Sequence, residues 1–138
     1  MENKVNYLEG QLNTITKQIL QIDVDMFAKV TGDYNPVHFD HEFAAKTRFK
    51  QPIAHGLLGA SLISAVLGTK LPGPGCIYLS QTLKFLAPVF VGDVITAEVK
   101  VKTWHNEKKI LTLNTRCFNQ NNVDVITGEA SVLVDTLL

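Results

Sequence analysis

One apolar segment limits the folds that this chain can adopt. Residues 56–69, GLLGASLISAVLGT, predict a helix that begins after His55 and ends ahead of the Pro and Gly residues in 72–75. The apolar residues lie all round the predicted helix axis, which is typical of a helix surrounded by the rest of its fold. The fold must therefore cover a central helix.

The sequence on either side predicts strands and short helices. Downstream, apolar and polar residues alternate with a period of two, and polar turns separate four predicted strands: 77–85, 95–104, 110–118 and 123–134. Upstream, residues 11–19 predict a first strand. A short helix is predicted at 24–31, with Asp23 as its N-cap and Gly32 as its end. Asp40 could cap another short helix.

This order of elements predicts an α+β fold, in which a curved antiparallel sheet wraps around one long buried helix. The 138 residues, 46% of them hydrophobic, are enough for one core, so we expect residues 1–138 to form a single domain. Such a sheet leaves an edge strand and one flank of the helix poorly covered. We therefore expect a homodimer.

Charge and hydropathy exclude two classes of partner. Thirteen basic and thirteen acidic residues cancel, and the basic residues are scattered, so we expect no nucleic-acid partner. The polar start lacks a signal-peptide core, and the most apolar run, 53–68, is too short to span a bilayer, so no membrane association is expected. Cys76 and Cys117 lack CxxC spacing and are predicted to be free thiols in the cytoplasm.

The segment 31–38, TGDYNPVH, contains an acid and an imidazole five residues apart. Five residues advance about 500° around an ideal helix, so the two side chains would point well apart. On a strand, an odd spacing puts them on opposite faces. Only an irregular turn can bring Asp33 and His38 together, and Gly32 and Pro36 favour such a turn.

The residues alone leave three interpretations of this segment open. Asp33 and Asn35 could serve only as turn formers, with His38 an ordinary half-buried imidazole. Asp33 and His38 could instead share one water molecule for general acid–base chemistry. The third interpretation is a metal site that adds Asp40 and His41 to the pair, although no known metal-binding spacing is present.

The start of the predicted helix also permits two interpretations. A helix N-terminus has free backbone N–H groups and a partial positive charge, which suits a developing oxyanion at Gly56. Alternatively, Gly56 only lets the chain enter a tightly packed helix. Ser61 and Ser64 are expected to bond back to preceding carbonyl groups, and without a GxSxG motif neither is expected to be a nucleophile.

Residues 27–68, FAKVTGDYNPVHFDHEFAAKTRFKQPIAHGLLGASLISAVLG, closely resemble the hydratase-2 motif of the MaoC-like dehydratases, which are (R)-specific enoyl-CoA hydratases with the hot-dog fold. The likeness continues through LPG at 71–73, PVFVGD at 88–93 and TGEA at 127–130, and it covers nearly the whole chain. It is strongest to the short, single-domain hydratases that feed polyhydroxyalkanoate synthesis.

The resemblance implies a single hot-dog domain that reversibly adds water to trans-2-enoyl-CoA, giving (R)-3-hydroxyacyl-CoA. Asp33 and His38 are then the catalytic pair, and the Gly56 amide donates to the thioester carbonyl group. The resemblance places Asn35, His55 and Ser64 in the oxyanion and substrate-binding part of the site. The CoA thioester is the substrate, and no cofactor or metal is expected.

Two other functions remain compatible with the same fold. One is a non-catalytic domain that binds acyl thioesters, and the other is a hot-dog thioesterase. The presence of both Asp33 and His38 favours hydration. The substrate cavity is expected to run along the buried helix, with Leu67 as the end wall and a preference for acyl chains of about four to six carbons. Its expected lining is Leu57, Ile63, Val66 and Leu67.

Overall fold

The computed structural model describes residues 6–134 and has the predicted α+β architecture. The elements in chain order are β1 (Leu12–Gln18), α1 (Gln21–Thr31), a 3₁₀ turn (Pro36–His38), α2 (His41–Ala45), α3 (Gly56–Thr69), β2 (Cys76–Phe85), β3 (Val94–His105), β4 (Ile110–Phe118) and β5 (Asp124–Val134). The five strands form one antiparallel sheet in the order β1-β3-β4-β5-β2, and α3 packs against it. This is the expected single hot-dog fold. Within residues 6–134, no helix is long and apolar enough to cross a membrane.

The core forms where α3 meets the inward-facing residues of the sheet. Ile63 and Val66 are fully buried, and Leu67 is only 1% exposed. Buried and partly exposed residues alternate along β3 and β4, as expected for strands with one face on a core. The predicted bounds of α3 are confirmed, because the Pro and Gly residues after Thr69 end the helix.

One flank of α3 stays uncovered in the single chain. Leu57, Ser61, Ser64 and Gly68 are exposed, and their spacing puts them on one side of the helix. Helical periodicity alone was therefore wrong in predicting complete coverage, because the small and polar residues on this side form a separate face. The poorly covered flank expected from the sheet is confirmed.

The N-terminal end of α1 differs from the prediction. The helix begins at Gln21, with Leu20 as its N-cap, and Asp23 lies in the first turn. From there the Asp23 carboxylate accepts a hydrogen bond from the Leu20 N–H at 2.8 Å, which lowers the pKa of Asp23. The predicted end is confirmed, since Gly32 adopts a φ of 80° that suits glycine. The chain therefore changes direction at Gly32, and Asp33 lies outside the helix.

Both cysteines are free thiols, as predicted. Cys117 lies in the core, and burial raises its pKa to about 12. Burial also raises the pKa of Cys76, which is half-buried. Neither thiol therefore favours its reactive thiolate form at neutral pH.

The burial of Leu67 in the core predicts how much stability its side chain contributes. We expect Leu67→Ala to lower the free energy of unfolding by about 2–5 kcal/mol, because it removes buried methyl groups and leaves a cavity. Urea unfolding followed by circular dichroism measures the loss. Leu8→Ala is the matched control, because Leu8 is 68% exposed, and we expect it to change stability by less than about 0.5 kcal/mol. Equal effects of the two substitutions would contradict this packing.

Candidate active site

The segment between α1 and α2 is a turn held by its own side chains. The Asp33 N–H donates to Thr31 Oγ1 at 3.1 Å, and the Asn35 N–H donates to Asp33 Oδ1 at 3.1 Å. Asn35 Oδ1 accepts a hydrogen bond from the Val37 N–H at 3.2 Å and so caps the 3₁₀ turn. The turn-forming interpretation of Asp33 and Asn35 is therefore correct. It does not exclude a second role for Asp33, whose side chain also faces a cavity.

His38 is held in one orientation by the main chain before α3. Its Nδ1 lies 2.6 Å from the carbonyl oxygen of Ile53. A carbonyl oxygen only accepts, so Nδ1 carries the proton and Nε2 keeps its lone pair. Burial lowers the pKa of His38 from 6.5, and the charge of His55 also lowers it; the hydrogen bond to Ile53 and the charge of Asp33 act in the opposite direction. The half-buried ring is thus suited to act as a base at neutral pH.

The structure brings Asp33 and His38 together, as the sequence predicted. Side-chain ligand atoms of Asp33, His38 and His55 all lie within 4.8 Å of one another. Groups at such a separation are close enough to contact the same water molecule, because each hydrogen bond spans about 2.8 Å. The turn therefore brings together two side chains that their five-residue spacing would keep apart on a helix or a strand.

The same three residues are ligand types, but their geometry does not suit a metal ion. The His38 and His55 rings lie nearly face to face, with centroids 3.8 Å apart and planes 33° apart. Their lone pairs lie in the ring planes and do not converge as a tetrahedral site requires. One nitrogen of each ring is hydrogen-bonded to a carbonyl oxygen, which leaves only His38 Nε2 and the buried His55 Nδ1 as free ring nitrogens. Asp40, from the other proposed set, instead caps α2 by accepting two backbone N–H groups.

Gly56 is the first residue of α3 and lies at the cavity. Among the backbone hydrogen bonds described for residues 6–134, none uses the Gly56 N–H. A Cβ atom at this position would lie 2.7 Å from Cε1 of Phe85, so in this arrangement the Phe85 ring occupies the space that a side chain at Gly56 would need. The structure is therefore compatible with both interpretations of Gly56, the free donor and the tight contact.

The cavity has a volume of about 790 Å³, and it does not follow the predicted course. Leu57 lines it, but Ile63, Val66 and Leu67 lie in the core. The predicted lining is therefore correct for Leu57 and wrong for the other three residues, and the predicted role of Leu67 as end wall is also wrong. The cavity extends from the start of α3 towards the end of β2 and the loop after it, and its apolar lining includes Phe27, Phe49, Phe85, Leu86, Val89 and Phe90.

Sequence reasoning missed several of these lining residues. The apolar run FLAPVF at 85–90 continues beyond its strand through a proline, a signal that could have indicated an exposed apolar wall. Arg48 lines the cavity and is exposed, so it lies at the cavity rim. Nothing in the local sequence distinguishes Arg48 from other surface cations.

The remaining predicted site residues take other positions. Ser64 is exposed on α3 and lines a second, more open cavity with Leu57, Ser61 and β2 residues. Within residues 6–134, the lining of the Asp33–His38 cavity therefore does not include Ser64. His55 does line that cavity, but its Nε2 lies 2.9 Å from the carbonyl oxygen of Asp33 and its Nδ1 is buried. Neither nitrogen is free to bind a substrate in this arrangement.

Comparison with known proteins assigns the chain to a family. Residues 4–125 match the family described as MaoC like domain. The chain is 50% identical over 123 residues to an (R)-specific enoyl-CoA hydratase of Aeromonas caviae, which covers 89% of this chain and 92% of the relative. It is 47% identical over 137 residues to a 3-hydroxybutyryl-CoA dehydratase of Methylorubrum extorquens, covering 96% of this chain and 87% of the relative.

Solved structures give the same result for the fold. The (R)-hydratase of Aeromonas caviae involved in PHA biosynthesis superposes with a TM-score of 0.89 at 47% identity, covering 94% of this chain and 98% of that chain. An unliganded R-hydratase of Pseudomonas aeruginosa superposes with a TM-score of 0.87 at 45% identity, covering 93% of this chain and 82% of that chain.

The environment of His38 predicts its titration. We expect its imidazole to titrate with a midpoint below 6.5, because burial disfavours the charged ring. Asp33→Asn should lower the midpoint further, since the Asp33 charge raises the pKa of His38. Asp25→Asn, on exposed α1 surface, is the control and should leave it unchanged. NMR titration of the histidine ring measures the midpoint, and a wild-type value at or above 6.5 would contradict this environment.

Proposed function

The chain belongs to the MaoC-like dehydratase family, and we propose that its Asp33 and His38 activate the water that it adds to its substrate. The reaction is the reversible hydration of trans-2-enoyl-CoA to (R)-3-hydroxyacyl-CoA, which is a lyase activity. The observation that carries the proposed mechanism is the meeting of the Asp33 carboxylate and the His38 ring beside the start of α3.

Water is too weak a nucleophile to add to an enoyl thioester unaided. In the proposed mechanism one water molecule donates hydrogen bonds to the Asp33 carboxylate and to His38 Nε2. Asp33 accepts a proton as the water oxygen bonds to Cβ, and the π electrons move towards the thioester oxygen as an enolate forms. The pair then returns a proton to Cα from the same side, which gives syn addition.

The enolate oxygen needs a donor during this step. The Gly56 N–H is proposed as that donor, because it is the first amide of α3 and Gly56 lines the cavity. The partial positive charge of the helix N-terminus strengthens the interaction. Removing one such donor typically costs about 3–4 kcal/mol of transition-state stabilisation. Phe85 and the other apolar residues of the lining reduce competition from bulk water.

The proposed reaction needs no redox cofactor or metal, because water supplies both the hydroxyl group and the proton. A non-catalytic acyl-thioester-binding domain would use the same cavity but no acid–base pair. A thioesterase would direct the water to the carbonyl carbon and release free CoA. A cytoplasmic location stays a prediction, with which the free thiols of Cys76 and Cys117 agree.

A homodimer is also part of the proposal. β2 forms one edge of the sheet and pairs only with β5 within residues 6–134. Ile77 and Leu79 on β2 are 47% and 51% exposed, and Leu57 on the open flank of α3 is 58% exposed. Edge pairing of β2 with a second copy would cover both the unpaired strand and these apolar side chains.

We further propose that Arg48 attracts the phosphate groups of CoA. The side chain lies at the cavity rim and makes no ion pair among the described residues. An arginine at such a site suits phosphate recognition, because its planar donor group binds two oxygens at once. The reacting part of the substrate would then reach Asp33 and His38 deeper in the same cavity.

The catalytic pair gives the first prediction of the proposed function. Asp33→Asn and His38→Gln are each expected to lower kcat with crotonyl-CoA by at least about 100-fold, because general acid–base groups contribute about 10²–10⁴. Loss of enoyl-thioester absorbance measures hydration, and a thiol reagent detects any CoA released by thioester hydrolysis. Asp25→Asn is the matched control on α1 and should retain full activity. Near wild-type turnover in a folded Asp33 or His38 variant would contradict the mechanism.

Arg48 gives the second prediction. Arg48→Gln should raise KM for crotonyl-CoA with kcat nearly unchanged, because a remote phosphate contact stabilises substrate and transition state alike. Arg48→Lys keeps the charge and should recover part of the affinity. Higher salt should raise KM more for the wild-type enzyme than for Arg48→Gln, because salt screens the charge of Arg48. A KM that is unaffected in Arg48→Gln would disprove the contact.

Assembly gives the third prediction. Light scattering at micromolar concentration should report twice the 15.3 kDa mass of one chain. Leu79→Lys, on β2, should shift the mass towards one chain, because it introduces charge into the proposed interface. Val30→Lys is the control, since Val30 is 85% exposed on α1 away from β2. A wild-type mass of one chain would rule out the dimer.

A further inference from the structure

His55 is a buried imidazole that the proposed reaction does not use. It is 3% exposed and lies immediately before α3. Its Nε2 is 2.9 Å from the backbone carbonyl oxygen of Asp33, and this oxygen can only accept, so His55 donates from Nε2. Its Nδ1 is buried and has no hydrogen-bond partner among residues 6–134. An incompletely paired buried polar group is costly, so a compensating contribution elsewhere is expected.

The ring of His55 contacts the ring of His38. Their centroids are 3.8 Å apart with planes 33° apart, and the Phe27 ring lies 4.7 Å from His55 on a tilt of 48°. His38 is therefore limited in two ways, by its hydrogen bond to Ile53 and by the flat surface of His55. His55 thus contacts both members of the proposed pair, Asp33 through the main chain and His38 through the ring.

We propose that His55 is a positioning residue, which sets the distance between the Asp33 carboxylate and the His38 ring. This role rests on the proposed function of Asp33 and His38 as the catalytic pair. The contacts of His55 with both residues are observed independently of that function. The positioning role replaces the substrate-binding role expected from the sequence, because both His55 nitrogens are directed into the protein. His55 is then not itself a catalytic residue.

The electrostatics of the cavity provide a readout. The titratable side chains that line it with His38 are Asp33, His55 and Arg48. The charge of His55 lowers the pKa of His38, and that of Asp33 raises it. Replacing His55 by phenylalanine keeps an aromatic surface and the burial but removes that charge. The titration midpoint of His38 should therefore rise in His55→Phe, and Asp33→Asn should shift it less in that variant than in the wild type if His55 holds the two groups together.

The first arm of the test is kinetic. His55→Phe should lower kcat for crotonyl-CoA by about 10-fold to 100-fold, with KM little changed, because a displacement of about 1 Å in a reacting group has effects of this size. The amide side chain in His55→Gln can still donate a hydrogen bond to the carbonyl oxygen of Asp33, so this variant should lose less of kcat. In a His38→Gln background the same His55→Phe change should have little further effect, because positioning acts through His38. Equal losses in both backgrounds would overturn the proposal.

The control for burial is Thr115, the other buried polar residue among 6–134, whose hydroxyl accepts a hydrogen bond from Gln81. Thr115→Val should lower stability while leaving the midpoint of His38 unchanged. His55→Phe should raise that midpoint, as measured by NMR. An unchanged midpoint together with wild-type kcat in folded His55→Phe would overturn the proposal.

The second arm uses the wild-type protein and is independent of activity. Histidine ¹⁵N chemical shifts should show His38 protonated on Nδ1 and His55 protonated on Nε2. The opposite tautomer at His55 would overturn the proposal, whether or not His55→Phe folds. If wild-type protein failed to hydrate crotonyl-CoA, the proposed function would fail; the tautomers and the His38 midpoint in His55→Phe or His55→Gln would still decide whether His55 sets the geometry.

Discussion

The site depends on the attachment of one turn to the chain segment that begins α3. Three hydrogen bonds join them: the Ile53 N–H donates to Val37 O at 3.2 Å, His38 Nδ1 donates to Ile53 O at 2.6 Å, and His55 Nε2 donates to Asp33 O at 2.9 Å. Because α3 is anchored in the sheet by fully buried residues, this attachment fixes Asp33 and His38 relative to the first amide of the helix. The position of the reacting groups thus follows from the packing of the core.

The arrangement separates two electrostatic requirements. The proton-accepting groups lie in a turn, where Asp33 is exposed and His38 is half-buried with a lowered pKa. The donor for negative charge is a backbone amide at a helix N-terminus, which needs no side chain and no reorganisation during the reaction. Since the apolar walls come from other segments, the lining can change without moving the pair. The fold therefore allows substrate range and chemistry to vary separately.

The sequence predicted the elements that have strong periodicity or strong end signals. The bounds of α3 and the end of α1 at Gly32 were correct, because glycine and proline terminate helices by backbone geometry alone. The joining of Asp33 and His38 by an irregular turn was also correct. The cavity lining was not, because helical periodicity says which residues are apolar and not which side faces the sheet. The contact of His55 with Asp33 joins residues 22 apart and depends on tertiary structure.

The central claim is that Asp33 and His38 deliver the hydroxyl group and the Cα proton of water to the same face of the enoyl thioester. Hydration of crotonyl-CoA in D₂O tests this claim most directly, with NMR of the product used to assign the configuration at both carbons. The account predicts an (R)-3-hydroxyl group with a single deuterium at Cα, added from the same face. Anti addition, or a product mixture with the single deuterium on either face of Cα, would contradict it.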